Sequence, residues 1–264
     1  MTNAYACNVV IDLEFTHVPK ALRQTSGLFF EIIEVGAVKL AVDGSVVGEF
    51  SRMVKPTLAS GVAPSVHRIT GICDEDLIGA STLPVVLDEL AAWIGTGRTR
   101  MITWSPSDLA QVTAECRSKG IDVALPHRWL DIQRLYPRLM GMPKRSVALD
   151  EATDWCGIAN DKASAHRALY DARMTAELFR MMAAGDLSAQ RAALAAQVHT
   201  RPSDCSASIG SACAVAWPSC SPASAPRRAW RHKVGAGTQP ITSVATIIPR
   251  RSHALSACHG TRKQ

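Results

Sequence analysis

The chain has 264 residues, which at roughly 150 residues per domain allows one large domain or two small ones. Hydrophobic residues at 47% and charged residues at 20% supply a substantial core and exclude a fibrous or wholly disordered chain. The net charge of +6 is uneven: residues 201–264 hold nine Lys/Arg against the single acid Asp204, whereas residues 1–200 hold 20 basic and 22 acidic residues, which suits a carboxylate cluster better than a broad basic platform.

The opening MTNAYACNVVIDLEF has no basic segment before its apolar run and no plausible cleavage site. It predicts no secretory signal and a cytoplasmic protein. Residues 7–14 (CNVVIDLE) predict a buried strand. Residues 31–42 and 45–55 predict a hairpin across the turn Asp43-Gly44. The most apolar stretch, residues 29–42, is broken by Glu31, Glu34 and Lys39, which excludes a membrane span. Residues 64–71 (PSVHRITG) and 74–79 predict short helical or irregular pieces. Residues 83–94 predict an amphipathic helix with Leu83, Val86, Leu87, Leu90 and Ile94 on its apolar face.

Residues 101–104 predict a short strand. Residues 106–119 follow as a helix, with Ser105 as its cap and Pro106 in its first turn. Helices are also predicted over 129–140, 147–156 and 166–182, the last stopping at Gly185, with a short one over 188–199. Strands followed by helices that enclose further short strands predict an α/β domain with a mixed sheet. Trp104, Trp129 and Trp155 are assigned to the core.

Beyond Arg201 the periodicity fails. Of the last 64 residues eight are Val, Ile or Leu, none is Phe or Met, and 31 are Ala, Ser, Pro or Gly. That composition cannot offset the entropy of ordering and predicts a disordered tail. It reads as an extension without a role of its own, the alternative being a nucleic-acid tether. The expected division is thus 1–185 as the principal domain, 186–200 as a short helical extension and 201–264 as the basic tail. Cys7, Cys73, Cys116 and Cys156 form no CxxC pair and read as buried or free thiols in a reducing compartment. The tail's cysteines, with His253 and His259, lack zinc-finger spacing.

No GxGxxG, Walker or GxSxG motif is present; the chain carries instead an ordered set of carboxylates. Asp12 and Glu14, two apart near the end of the first strand, point to one face. Like charges there are costly to desolvate, and a cation between them removes the cost. Hard oxygen donors suit Mg²⁺ or Mn²⁺. Alternatively the strand ends here and both acids reach water. Asp108 lies in TWSPSDLAQV, where Ser105-x-x-Asp108 also fits a capping box. His166 and Asp171 lie in SAHRALYDARMTAELF. Five residues apart on one helix they would diverge by about 140°. If the helix begins just after Ser164 or His166, both can point into one site; otherwise they are a half-exposed histidine and a solvated acid.

In this order and context, VIDLEFT, TWSPSD and AHRALYDAR resemble the three motifs of the DEDDh family of 3′→5′ exonucleases. EIIEVGAVKL resembles the family's paired second strand, VKP the end of its third, and HRITGI the loop that follows. The similarity covers about residues 8 to 182. DLEFT, HRITGI and HRALYDAR look most like the KapD-like branch, related to exonucleases that trim small-RNA and histone-mRNA 3′ ends. The second motif departs from the pattern in placing Ser105-Pro106-Ser107 where glycine is common.

The resemblance implies a ribonuclease H-like fold with a central mixed five-stranded sheet flanked by helices. It implies hydrolysis of phosphodiester bonds from the 3′ end of single-stranded RNA or DNA, with two Mg²⁺ or Mn²⁺ ions and 5′-mononucleotide products. Asp12, Glu14 and Asp171 would hold the ion that binds the nucleophilic water. Asp12 would bridge to a second ion at the leaving oxygen, with Asp108 acting there largely through water. His166 would be the general base, since an imidazole titrates near neutrality. Phe15, Thr16, His67 and Thr70 would contact the terminal nucleotide; core packing, capping and simple surface exposure are their structural alternatives. The rival function is a catalytically silent RNA-binding or regulatory module, which would not need all of Asp12, Glu14, Asp108, His166 and Asp171.

Overall fold

The computed structural model describes residues 5–122, 125–126, 128–142 and 145–199. The basic tail expected to be disordered lies outside the described residues. In chain order the elements are β1 (Cys7–His17), α1 (Lys20–Ser26), β2 (Phe30–Leu40), β3 (Val46–Lys55) and α2 (Pro64–Thr70). A 3₁₀ turn (Asp74–Leu77), β4 (Ser81–Thr82), α3 (Leu83–Ile94), β5 (Thr99–Thr103) and α4 (Ser107–Lys119) follow. The last are β6 (Trp129–Asp131), α5 (Tyr136–Leu139), α6 (Leu149–Trp155), α7 (Ala168–Ala184) and α8 (Ser188–His199).

One mixed sheet runs in the order β4-β3-β2-β1-β5-β6. The β1–β2 and β2–β3 pairs are antiparallel, and β1–β5, β5–β6 and β3–β4 are parallel. The sheet has six strands where five were expected; β4 is a two-residue edge strand beside Val54 and Lys55. Residues 129–140, read as a helix, open instead as β6, and only Tyr136–Leu139 is helical. The fully buried β5 would otherwise leave an open ladder, and Trp129–Asp131 closes it against Met101–Thr103. The unexpected helix α1 buries none of its residues, so it leaves no apolar stripe to read.

Alternation along β1 sorts the core into two layers. Val9, Ile11 and Leu13 face Leu83, Val86, Leu87, Leu90 and Ile94 of α3 and Val112 of α4. Val10 faces the other layer, with Tyr136 of α5 and Ala172, Ala176 and Phe179 of α7. Each fully buried large apolar side chain of α3 contributes on the order of 1.5–3 kcal/mol, which fixes that helix to the sheet. Trp104 is buried, while Trp129 and Trp155 pack at the margins of the two layers. Among the described residues no helix is long and apolar enough to cross a membrane.

Two features shape the open end of the β1–β2 ladder. The first is a bulge: Glu14 pairs with Glu34 but Phe15 pairs with Ile32, leaving Ile33 unpaired. Ile33 is fully buried in a third cluster with Ile72 and Leu77. The second is a buried ionic knot. Lys119 Nζ lies 2.6 Å from Glu31 Oε1 and 2.7 Å from Glu115 Oε1, and both carboxylates are fully buried. Glu31 also accepts the backbone N–H groups of Thr57, Leu58 and Ala59, and Glu115 that of Ile32. Burial works to raise the pKa of Glu31, but Lys119 and these N–H donors outweigh it and hold it below the usual value. One cation thus ties α4, β2 and the segment after β3 together. Lys119→Met should cost about 3–5 kcal/mol, the penalty for stranding a buried charge, read as the loss in chemical-denaturation stability.

Candidate active site

Asp12 and Glu14 alternate with buried Ile11 and Leu13, so their carboxylates leave β1 on the face opposite α3. The strand runs on to His17, so the two acids are not at a frayed strand end. Across the ladder Asp12 meets Gly36. A β-carbon on Gly36 would lie 2.1 Å from the backbone nitrogen of Leu169 and 2.2 Å from the carbonyl carbon of Ala168. The absent side chain is what lets the first turn of α7 lie directly on β2, beside the carboxylates. Gly36→Ala should cost about 1–3 kcal/mol through overpacking and lower activity well beyond its effect on folding. A variant with wild-type melting and wild-type turnover would show that α7 tolerates the displacement.

Asp171 sits in the first turn of α7 and His166 two residues before the helix. The extended residue Arg167 and a left-handed His166, at φ 64° the one non-glycine residue with positive φ among those described, turn the chain back over the helix start. That resolves the 140° divergence expected on a continuous helix. The His166 N–H lies 3.3 Å from Asp171 Oδ2, and donor atoms of Glu14, His166 and Asp171 all lie within 4.8 Å of one another.

Asp108 enters from α4. The capping box read from Ser105-x-x-Asp108 does not form: Pro106 occupies the cap position and the helix has no side-chain cap. Ser105 Oγ instead accepts the Ser107 N–H at 3.2 Å and lies 3.5 Å from Asp108 Oδ2. Asp108 is only 3% exposed and accepts a backbone N–H from Leu13, between Asp12 and Glu14.

The carboxylates feel one another. Burial pushes Asp12 well above the usual carboxylate range, and Asp108, Asp171, Glu14 and Glu34 add to the shift. Glu14 is pushed up to about 8 by burial and then by Asp171, Glu34 and Asp108. Asp108 is pushed up to about 7 by burial, against hydrogen bonds that favour its charge. Asp171 is raised by burial, with His166 opposing. Four carboxyl groups held this way, beside one imidazole, fit divalent cations: hard oxygen donors converge, and positive charge would relieve their repulsion.

The four residues expected at a terminal nucleotide fare differently. Phe15 follows Glu14 directly and packs partly into the α3 layer. Thr16 is fully buried; its hydroxyl donates to Gly61 O and accepts from Ala63 N–H. Thr70 does the same at the end of α2, with Val66 O and Ile72 N–H. Both hydroxyls are therefore engaged within the chain. His67 is exposed, its Nδ1 2.9 Å from Ile72 O.

Two further carboxylates escaped the sequence reading. Glu34, 2% exposed, receives Arg167 at 2.9 Å and the Ala168 N–H at 3.0 Å. It caps α7 from the sheet, where the helix's own cap residue makes no side-chain bond. Asp131, at the end of β6, raises the pKa of Asp108, and its own Oδ2 is buried without a hydrogen-bond partner. In the sequence Glu34 is an ordinary strand acid and Asp131 an acid of the helix expected over 129–140; only the spacing to a known motif could have marked them.

A family profile described as Exonuclease matches residues 9–179. The chain is 31% identical over 228 residues to ERI1 exoribonuclease 2 of Danio rerio, covering 74% of this chain and 39% of that protein. It is 27% identical over 180 residues to the DNA polymerase III subunit epsilon of Haemophilus influenzae, covering 67% of each. The fold is that of the nuclease domain of 3′hExo, a DEDDh family member bound to rAMP, with a TM-score of 0.58, 20% identity, and coverage of 69% of this chain and 94% of that one. A full-length 3′-exonuclease structure superposes with a TM-score of 0.61 at 20% identity, covering 69% of this chain and 62% of that one. The fold is thus ribonuclease H-like, and the chain belongs to the DEDDh 3′→5′ exonuclease family.

Proposed function

We propose that the protein is a divalent-metal-dependent enzyme that removes 5′-mononucleotides successively from the 3′ end of single-stranded RNA or DNA. The observation that carries this reading is the convergence of Glu14, His166 and Asp171 within 4.8 Å, next to Asp12 on the same strand face. A silent binding module would gain nothing from four mutually repelling carboxylates beside a strained histidine.

Asp12, Glu14, Asp108 and Asp171 would hold Mg²⁺ or Mn²⁺, which when bound supplies Lewis acidity and positive charge at the scissile phosphate. His166 takes the proton of the attacking water at an imidazole nitrogen. The water oxygen bonds to phosphorus as the bond to the upstream 3′ oxygen breaks. That oxygen takes up a proton, leaving a shortened strand with a free 3′ hydroxyl and a 5′-mononucleotide. Glu34 and Arg167 hold the His166 backbone in place, and Gly36 keeps α7 against the strand. A reducing, cytoplasmic setting fits the free thiols Cys7, Cys73, Cys116 and Cys156.

The test is product analysis with 5′-labelled RNA and DNA oligomers in Mg²⁺, Mn²⁺ or EDTA. A ladder shortening from the 3′ end, abolished by EDTA, is expected. Internal cleavage, or hydrolysis indifferent to EDTA, overturns the reading.

A further inference from the structure

We propose that the outer ends of β1 and β2, with α1, form a second nucleic-acid-binding surface that holds the single strand upstream of its 3′ end. The proposal rests on the exonuclease reading for the position of that end. The surface is a run of rings that begins at Phe15, next to Glu14 in the chain but on the α3 face of β1, and continues to the open end of the ladder. Phe15, its chain neighbour, has its ring centroid 6.5 Å from that of Phe30, and Phe30 lies 4.9 Å from His17. Phe29 and Phe30 are 50% and 39% exposed, which core packing does not explain. The Arg23 guanidinium sits 5.6 Å from the centre of the Phe29 ring.

Charge and helix content agree with this. Residues 15–30 contain Lys20 and Arg23 and no acid, although residues 1–200 carry 22 acids. Helix α1 buries no residue, so it adds nothing to the core and stands as surface. Exposed rings interleaved with cations match one ligand chemistry: unpaired bases that stack on aromatic faces while their phosphates meet Lys and Arg. Every base offers such a face, so the surface carries no sequence preference. A duplex keeps its bases stacked on one another and cannot use it.

The test measures binding of the full chain to a fluorescent single-stranded octamer by anisotropy in EDTA, where no hydrolysis occurs. Phe30→Ala should weaken binding about tenfold, the share of one stacked base, and Phe30→Trp should restore it. Removing the cations with Lys20→Ala and Arg23→Ala should flatten the salt dependence by about 0.7 per cation; α1 has no buried residue, and since Arg23→Ala gives up the hydrogen bond from Nε to Val18 O, wild-type melting of the variant is the control. Equal affinity for wild type and Phe30→Ala, with unchanged salt slopes, overturns the surface, whatever the activity. That result would also be given by a face built for a protein partner. Differences in affinity in a chain that hydrolyses nothing would support the surface and sink the exonuclease reading.

Discussion

Asp12→Ala should abolish turnover, by on the order of 10⁴-fold or about 5 kcal/mol of barrier, while raising the melting temperature of the metal-free protein. Asp12 lies on the central strand, and its half-buried carboxylate feels Asp108, Asp171, Glu14 and Glu34. Removing it takes away a ligand and also a source of repulsion. The pH dependence follows from the same shifts. Glu14 and Asp108 titrate at about 8 and about 7 in the fold, but near 4 in an unfolded chain. Between those values the native state binds more protons than the unfolded one, so metal-free stability falls as pH rises from about 4 to about 8. Divalent ions should therefore raise the melting temperature more at pH 8 than at pH 5. Asp12→Ala should show a shallower decline, since one of the repelling charges is gone. Thermal melts with Mg²⁺ or EDTA at the two pH values check this; a metal-free protein equally stable at both would contradict it.

The second large effect belongs to His166. As the base it must accept a proton, so His166→Ala should lower turnover by about 10²–10⁴-fold, the usual share of general-base catalysis. The loss should fall on kcat, with metal affinity nearly intact. Asp171→Ala, by contrast, should weaken metal binding itself. His166 also has positive φ, so His166→Asn separates geometry from chemistry. Asparagine tolerates the left-handed region but cannot act as the base. It should be as inactive as alanine. Equal activity of wild type and His166→Ala from about pH 6 to 9 would reduce the residue to a turn at the start of α7.

Much of this was legible in the sequence because it rests on local period and motif. The strand bearing Asp12 and Glu14 shows in CNVVIDLE, and the hairpin in its Asp43-Gly44 turn. The last helix shows in its apolar repeat and in Gly185, whose left-handed conformation ends it. What was not legible depends on distant partners. Residues 129–140 have apolar residues at helical intervals, yet Trp129–Asp131 joins the sheet because β5 leaves an edge to be closed. Asp108 fits a cap by spacing but turns inward, because the Leu13 N–H offers it a buried partner. Glu34 is one acid of a hairpin in sequence; its bonds to Arg167 and Ala168 link residues 133 and 134 positions apart. No local pattern encodes such a contact.

The bulge at Ile33 bears on how such a protein can be altered. Glu34 points to the carboxylates, Ile32 packs beneath Phe15 and Ile33 anchors the segment carrying Ile72 and Leu77. Three consecutive side chains thus serve three territories. Removing Ile33 would regularise the ladder while keeping Glu14 opposite Glu34 and Phe15 opposite Ile32. Only the packing of Ile72 and Leu77 would be lost, while Glu31 and Thr16 still hold residues 57–63. Beyond residue 63 that segment can therefore be lengthened, shortened or exchanged with another of its kind without re-registering the strands that hold the acids or stranding Glu31. The single supernumerary residue makes the substrate-side periphery separately adjustable, while the chemistry at the centre stays fixed.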